Sequence, residues 1–508
     1  MPKITKNRII FDQDDWLFGL HQQFGVADKQ QSFTDGLADS SSFDPFRKWG
    51  YASVGYDPVD VTNVSEVDGF AKNGVMEDNW NAYFIAGTKI HQIHTTSSTI
   101  TNTGGDYPHT IAGTAAEAED IVKYTISGTE YIFYSYNDTT DGNIGRLEVG
   151  TPTFVDSYWQ GTLSAAPMDK YVGHPMIVGD DDLLYIGNGN SLNAIDSSGV
   201  TAVIDALVIP AGFEIISFAK IQPRTLVIFA SKTPNSGGLY KGECKAYFWD
   251  YISEDPYDVQ DIYGNLMGEA FEFRGSIGCF TQGATIDRGA VMRGNTLFLY
   301  NGDVFKEIAS TSANLPIRGG VEVIGRAIYA NMGGDLYSFG NPMQGINAGL
   351  HKIAEGDGST SGMLRTFFGF KQLISSGTGT SGGLELLDIG KYSTGSFSTV
   401  FATPDFGSEF QGRIKNVRVE FTSSATGGRE FKLELVNRDG ISLGIALTGL
   451  IEIGSSETIL KRDSDTSGNP FKMFDSIQGI GTWGTGDGNT DAPSIKRIII
   501  DYEPTNIK

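Results

Sequence analysis

The sequence predicts an all-β protein: a divergent β-propeller of six or seven blades followed by a C-terminal β-sandwich. Three observations carry that expectation. A hairpin phrase recurs through the middle of the chain, and the last hundred residues switch to two-residue alternation. No long stretch shows the 3.6-residue periodicity of an amphipathic helix. The chain has 508 residues, 65 of them Gly and 31 Phe, and that length accommodates a large β domain with a smaller companion.

Residues 1–80 are the least regular. The stretch "SSSFDPFRKWGYASVGYDP" mixes aromatics with turn formers, and Asp35 to Asp44, around "LADSSSF", reads as a loop. This segment is expected to be an N-terminal arm with an early strand that closes the ring, because a propeller must join its first blade to its last.

The hairpins follow. "NAYFIAGTKIHQIHT" starts at Asn81, "EYIFYSYNDTTDGNIGRLEVG" at Glu130 and "DDLLYIGNGNSLNAID" at Asp181. "TLVIFASKTPNSGGLYKGECKAYFW" starts at Thr225, "NTLFLYNGDVFKEI" at Asn295, "RAIYANMGGDLYSFG" at Arg326 and "RTFFGFKQLISSGTGTSGGLELLDIG" at Arg365. Each is an aromatic-rich apolar strand, a Gly/Asn/Asp turn and a second strand. Aromatic and β-branched residues suit a pleated surface, and Gly and Asn suit the positive φ of hairpin turns. One hairpin per roughly 44 residues is close to the blade length of a propeller. The propeller is therefore placed at 81–397, with "DDLLYIGNGNSLNAID" as the inner hairpin of one blade.

From residue 398 to 508 the pattern sharpens. Val417, Val419 and Phe421 share one face of "RIKNVRVEF", and Phe431, Leu433 and Leu435 share one face of "REFKLELVNRDG", which ends in an Asp439-Gly440 turn. "SIKRIIIDYEP" is a final strand. Half-buried alternation of this kind predicts a sandwich of two sheets.

Composition narrows the function. Net charge is −23 with a pI near 4.6, which argues against wrapping nucleic acid by phosphate neutralisation. Residues 401–508 hold 12 Lys/Arg and 15 Asp/Glu, so −20 of the charge lies in residues 1–400. No secretory h-region and no apolar run of membrane-spanning length occur, so the expectation is a protein made in a cytoplasm, without stable membrane insertion. Cys244 and Cys279, the two cysteines, form no CxxC or Cys/His metal spacing and are expected to be reduced thiols.

The residues offer little chemistry. His91 and His94, three apart on a strand, point to opposite faces and cannot chelate one metal. His174, in "YVGHPMIVG", reads as structural. The acidic loops with Asp138, Asp141 and Asn143 and with Asp180, Asp181 and Asp182 lack the spacing and the full oxygen set of a calcium site, and read as turn chemistry. "SSGTGTSGG" lacks the Lys and helix of a phosphate cradle. No nucleophile elbow, HExxH or dinucleotide fingerprint occurs, and no hairpin turn carries a sialidase-type Ser/Thr-x-Asp-x-Gly-x-x-Trp/Phe box. No catalytic, cofactor-binding or metal residues are assigned, and no enzyme activity is expected.

A leading segment, a divergent propeller and a terminal unit opening "FGSEFQGRIKNVRVEF" together resemble virion proteins of tailed phages. The similarity is to the tail hub or "packaged DNA stabilization" proteins of short-tailed phages, with "GSIGCFTQGATIDRGAVMRGNTLFLYNGDVFKEI" (Gly275 to Ile308) similar to one of that family's blades. The resemblance implies a non-catalytic virion component of the tail, made in the host cytoplasm. It would be a tail hub, nozzle or head-tail connecting ring, commonly of six subunits, assembled below the portal and adaptor and above a needle or fibres. It would help retain packaged DNA and line or surround the ejection channel, without sequence-specific contact to nucleic acid. Two other readings compete: a carbohydrate-binding propeller for a host receptor, and a glycoside hydrolase or lyase.

Overall fold

The structure, a computed structural model, describes most of residues 71–310 and 410–506, separate strands within 320–399, and the strands Ile9–Gln13, Leu37–Ser41 and Tyr56–Asp60. Nearly every element is a strand. Among the described residues no helix is long and apolar enough to cross a membrane.

Seven small antiparallel sheets follow one another along the chain. The first strands of these sheets are Ala71–Met76, Glu117–Ile126, Met176–Val178, Phe213–Ile221, Leu266–Phe273, Val321–Ile324 and Leu364–Phe367. Each lies against the first strand of the next sheet, and Leu364–Phe367 returns to Ala71–Met76. That cyclic order makes the protein a seven-bladed β-propeller with the first strands nearest the axis. The blades are numbered 1 to 7 in chain order.

The phrase at Asp181 shows how a blade is built. Leu184 faces Ile195, Tyr185 faces Ala194 and Ile186 faces Asn193, across a two-residue turn of Gly189 and Asn190. Gly189 sits at φ +62°, where a side chain would be strained. Alternation then sends the hairpin's faces to different neighbours. Leu184, Ile186 and Ile195 pack with Phe133, Tyr158 and Trp159 toward blade 2, while Tyr185, Leu192 and Ala194 pack with Ile215, Ile228 and Tyr247 toward blade 4. Both faces are covered, which explains why these strands are continuously apolar. The hairpin is the second and third strand of its sheet, with Met176–Val178 inside it, so the inner-hairpin expectation is corrected.

The expected start of the propeller at 81 is corrected too, while the C-terminal unit begins with Gly395–Thr399, which straddles the expected boundary at 398. Blade 1 begins with Ala71–Met76, a strand of sequence AKNGVM too polar to register as a core strand. Blade 7 takes its outer strand from the other end of the chain: Tyr56–Asp60 pairs antiparallel with Leu384–Tyr392. The strand Leu37–Ser41 occupies the stretch expected to be a loop. The rest of "SSSFDPFRKWG", and the "SSGTGTSGG" run beyond Ser375, lie outside the described residues.

The C-terminal unit is two sheets over one core. One sheet orders Ile9–Gln13, Ile495–Asn506, Phe410–Phe421 and Thr458–Arg462, with Met473–Phe474 also on Phe410–Phe421. The other orders Leu37–Ser41, Gly395–Thr399, Gln478–Gly486, Ala425–Val436 and Ser442–Leu447. Val417, Val419 and Phe421 meet Phe431, Leu433, Leu435 and the fully buried Trp483 across the core. The predicted alternation therefore points inward as expected. The N-terminal strands Ile9–Gln13 and Leu37–Ser41 belong to these sheets, so the propeller is inserted within a unit made from both ends of the chain.

Cys244 and Cys279 are free and buried in the core shared by blades 4 and 5. Burial pushes the Cys244 thiol up to about 12 and the Cys279 thiol well above its usual value, so neither forms thiolate near neutrality. Native protein should leave both unreacted with Ellman's reagent at pH 8, and both should react in guanidinium. Fast labelling of native protein would contradict this burial.

Candidate functional site

The first strands of blades 1 to 5 line a cavity of about 250 Å³ on the axis, with many polar side chains on its wall. Its wall carries Lys72 and Asn73 from blade 1, Glu119 and Asp120 from blade 2, His174 before blade 3, Glu214 and Ser217 from blade 4 and Glu269 from blade 5. These strands are more polar than the hairpins behind them because one face meets the cavity.

Asp120 is the junction of three blades. Its carboxylate accepts hydrogen bonds from the side-chain amide of Asn73 in blade 1, from its neighbour Ile121 N–H (2.8 Å) and from Met176 N–H in blade 3 (2.7 Å). Burial pushes this carboxyl up to about 6, and the nearby Glu269 adds to that, while the three donors oppose it. The stitching continues around the wall. Lys72 reaches Glu117 (2.8 Å) and Glu119 (3.0 Å) of blade 2. Glu214 accepts from Gly173 N–H (3.1 Å), and Ser217 donates to the Gly268 carbonyl (2.9 Å). These polar groups of the cavity thus join consecutive blades.

His174 is fully buried. Nδ1 lies 3.0 Å from the Gly187 carbonyl and Nε2 lies 2.9 Å from Asn137 Oδ1. Burial lowers its pKa below the usual value, opposed by the hydrogen bond to the Gly187 carbonyl. A Cβ on Gly142 would stand 2.1 Å from His174 Nε2. Gly142→Ala should therefore displace the ring and cost about 2–4 kcal/mol by urea unfolding, from overpacking and a broken buried bond. A variant as stable as the parent would refute this packing.

The other sequence candidates do not converge. Asp138 Oδ1 accepts from Thr140 N–H (2.6 Å) and Asp141 N–H (2.9 Å), and Asn143 instead donates to Ser157 Oγ (3.1 Å). Asp180 pairs with Lys220 at 3.3 Å, and Asp181 accepts from the Tyr185 hydroxyl at 2.5 Å. Asp182 holds φ at +63° in the turn. His91 is buried and stacked on Phe84, ring centroids 4.9 Å apart, while the His94 side chain lies outside the described residues. Among the described residues no three His, Cys, Asp or Glu side chains are placed to hold a metal ion.

One constellation escaped sequence reading. Asp156, just beyond the last strand of blade 2, accepts from the Tyr134 hydroxyl and from Ala112 N–H (3.0 Å), and lies 2.8 Å from His109 Nε2. His109 stacks on Phe154 at 3.6 Å, and Tyr136 donates to the Asp156 carbonyl (3.0 Å). Burial works to raise this carboxyl, but the hydrogen bonds from His109, Tyr134 and Ala112 outweigh it and hold it below its usual range. The group fastens the outside of blade 1 to blade 2. Its only sequence signal is a carboxylate beside an aromatic strand, which is common. Asp156→Ala should cost about 2–4 kcal/mol, since it orphans buried donors. The Asp156 contribution is present above the ordinary carboxyl pKa and is lost as pH falls through the lower folded value.

No family model matches the chain, and no curated protein matches it. Several solved structures share similarity. The computationally designed Ika8 protein is 10% identical with a TM-score of 0.39, over 65% of this chain and 99% of that one. The extracellular domain of BT4673 from B. thetaiotaomicron is 12% identical with a TM-score of 0.42, over 81% of this chain and 48% of that one. The Dos1 propeller is 9% identical with a TM-score of 0.42, over 66% of this chain and 95% of that one. The class defined by the sheets described above is a seven-bladed propeller inserted in a two-sheet unit.

Proposed function

We propose that this protein is a structural component of a tailed-phage tail, a hub, nozzle or connecting ring built from several copies, six being the expected number. The observation that carries the reading is the way the chain is locked. A strand from the N-terminal region closes the last blade, and two more N-terminal strands complete the C-terminal sheets. The polar groups of the axial cavity and of the Asp156 cluster are engaged in holding blades to one another, as in a building part. DNA would not run through the propeller itself. A cavity of about 250 Å³ cannot admit a duplex whose major groove alone is about 12 Å wide. In this reading DNA passes along the lumen of a ring of copies, where a net-acidic wall would repel phosphates and leave the duplex free to slide.

Immunogold labelling of purified particles tests the assignment. Label confined to the tail or head-tail junction is expected, and particles without label overturn it. One observation favours a glycan-binding reading instead: Tyr171 is 84% exposed beside Asp169 and Lys170. A glycan array with wild type and Tyr171→Ala separates the two, because only a receptor-binding propeller would show a signal that the variant loses.

A further inference from the structure

The turns joining first to second and third to fourth strands of a four-stranded antiparallel sheet fall at one end of that sheet. Around a propeller they therefore share one face. In blades 3 to 5 this face carries Asp181, Asp182, Glu254, Asp255 and Asp303, with Arg224 the single base among the described residues of those turns. Exposed apolar groups stand among the acids: Val200 is 73% exposed, Ile252 81% and Tyr257 59%. The Ile252 tip is fixed in advance. Asp250 Oδ1 accepts from Ile252 N–H (3.0 Å) and Ser253 N–H (2.7 Å), and Trp249 Nε1 donates to the Ser253 carbonyl (2.6 Å). A preformed tip loses little freedom on docking.

The complement lies on the same chain. Thr458–Arg462 is an edge strand, paired on one side with Phe410–Phe421. It exposes Lys461, Arg462 and Ile459, which is 55% exposed. Lys472 and Met473, also exposed, continue the patch along the same partner strand, where Met473 faces Arg413. Glu420 on Phe410–Phe421 is held by Arg418 (3.2 Å), and Glu503 on the neighbouring strand Ile495–Asn506 by Lys415, so the outward charge of this edge is basic, with Asp463 following it.

We propose that copies of this chain join head to tail, the basic edge Thr458–Arg462 of one copy docking on the acidic turn face of blades 3 to 5 of the next. This rests on the ring reading above and names the surfaces that make the ring. Two acidic faces would repel each other, which excludes a face-to-face dimer through this surface. A heterologous contact between unlike patches closes into a ring or runs on as a filament. Ile252 and Ile459 supply the apolar centre and the charges the rim.

The test uses the full chain in sedimentation velocity at low and high salt. Wild type is compared with Lys461→Glu/Arg462→Glu, with Glu254→Lys/Asp255→Lys and with the four changes combined. Each reversal should weaken self-association by about tenfold or more, and the combination should restore it. High salt should weaken the wild type. Wild type that stays monomeric at every soluble concentration, or assemblies indifferent to both reversals, overturn the proposal. In the first case Lys and Arg serve only to guard a sheet edge against pairing. Rings found in particles alongside indifferent variants would sink these surfaces and leave the tail assignment standing, whereas absence from particles would sink the assignment itself.

Discussion

A chain that starts at residue 61 is expected to lose the cooperative unfolding of the full-length protein and to expose apolar surface. The truncation removes Tyr56–Asp60, whose five paired positions with the Leu384–Tyr392 strand complete blade 7. At about 0.5–1.5 kcal/mol net per ladder hydrogen bond, the missing strand forfeits roughly 3–6 kcal/mol directly, which rivals the whole stability of many domains. The indirect loss adds to this. Blade 7 also touches blade 1, so a frayed blade 7 leaves the ring open. Ile9–Gln13 and Leu37–Ser41 disappear from the C-terminal sheets at the same time. Reattaching residues 56–60 after residue 392 through a short flexible linker should recover the propeller transition but not the strands lost from the two-sheet unit. Dye binding and urea unfolding read both. A truncated chain with unchanged unfolding would show that the closing strand is dispensable.

The second large effect is a pH dependence centred on Asp120. Its folded pKa is about 6 against an ordinary value of 3.8, so the folded protein binds this proton more tightly than the unfolded chain does. Stability from this group is therefore greatest below pH 4 and falls as pH rises to about 6, by up to ~3 kcal/mol. Above that it is constant. Asp120→Asn cannot titrate, and the difference between wild type and variant removes the background of other carboxylates. Urea midpoints across pH 4 to 7.5 should show that difference changing through this window and level above it. A difference that does not vary with pH would contradict the raised pKa. Lys72, Glu119, His174, Glu214 and Glu269 line the same cavity, and Glu269→Gln should narrow the window by removing a repelling charge.

The sequence was most legible where strands are buried on both faces. The hairpins at Asp181 and Thr225 announce themselves because each face packs on a different neighbouring blade, so polar residues are excluded from both. The innermost strands were harder to read. Ala71–Met76 and Glu117–Ile126 face the axial cavity with Lys72, Asn73, Glu119 and Asp120, and those residues break the apolar pattern that signals a core strand. A ring-closing strand is expected within residues 1–80 and Tyr56–Asp60 lies there, but its exact position is not legible, since it carries no local mark of a partner more than three hundred residues away. The alternation in "RIKNVRVEF" and "REFKLELV" fixed the inward faces of the C-terminal sheets, yet nothing in it hinted that Ile9–Gln13 would pair with Ile495–Asn506. Asp156 and His109 were invisible for the same reason: they meet across 47 residues through blade packing.

We propose above that this chain is a tail component present in a closed ring. Quantitative mass spectrometry of purified particles, with labelled peptides of this chain calibrated against the major capsid protein, measures it directly. A fixed copy number equal to a closed cyclic set is expected, six in this proposal. Absence from the particles, or a variable trace that washes away with salt, would contradict it.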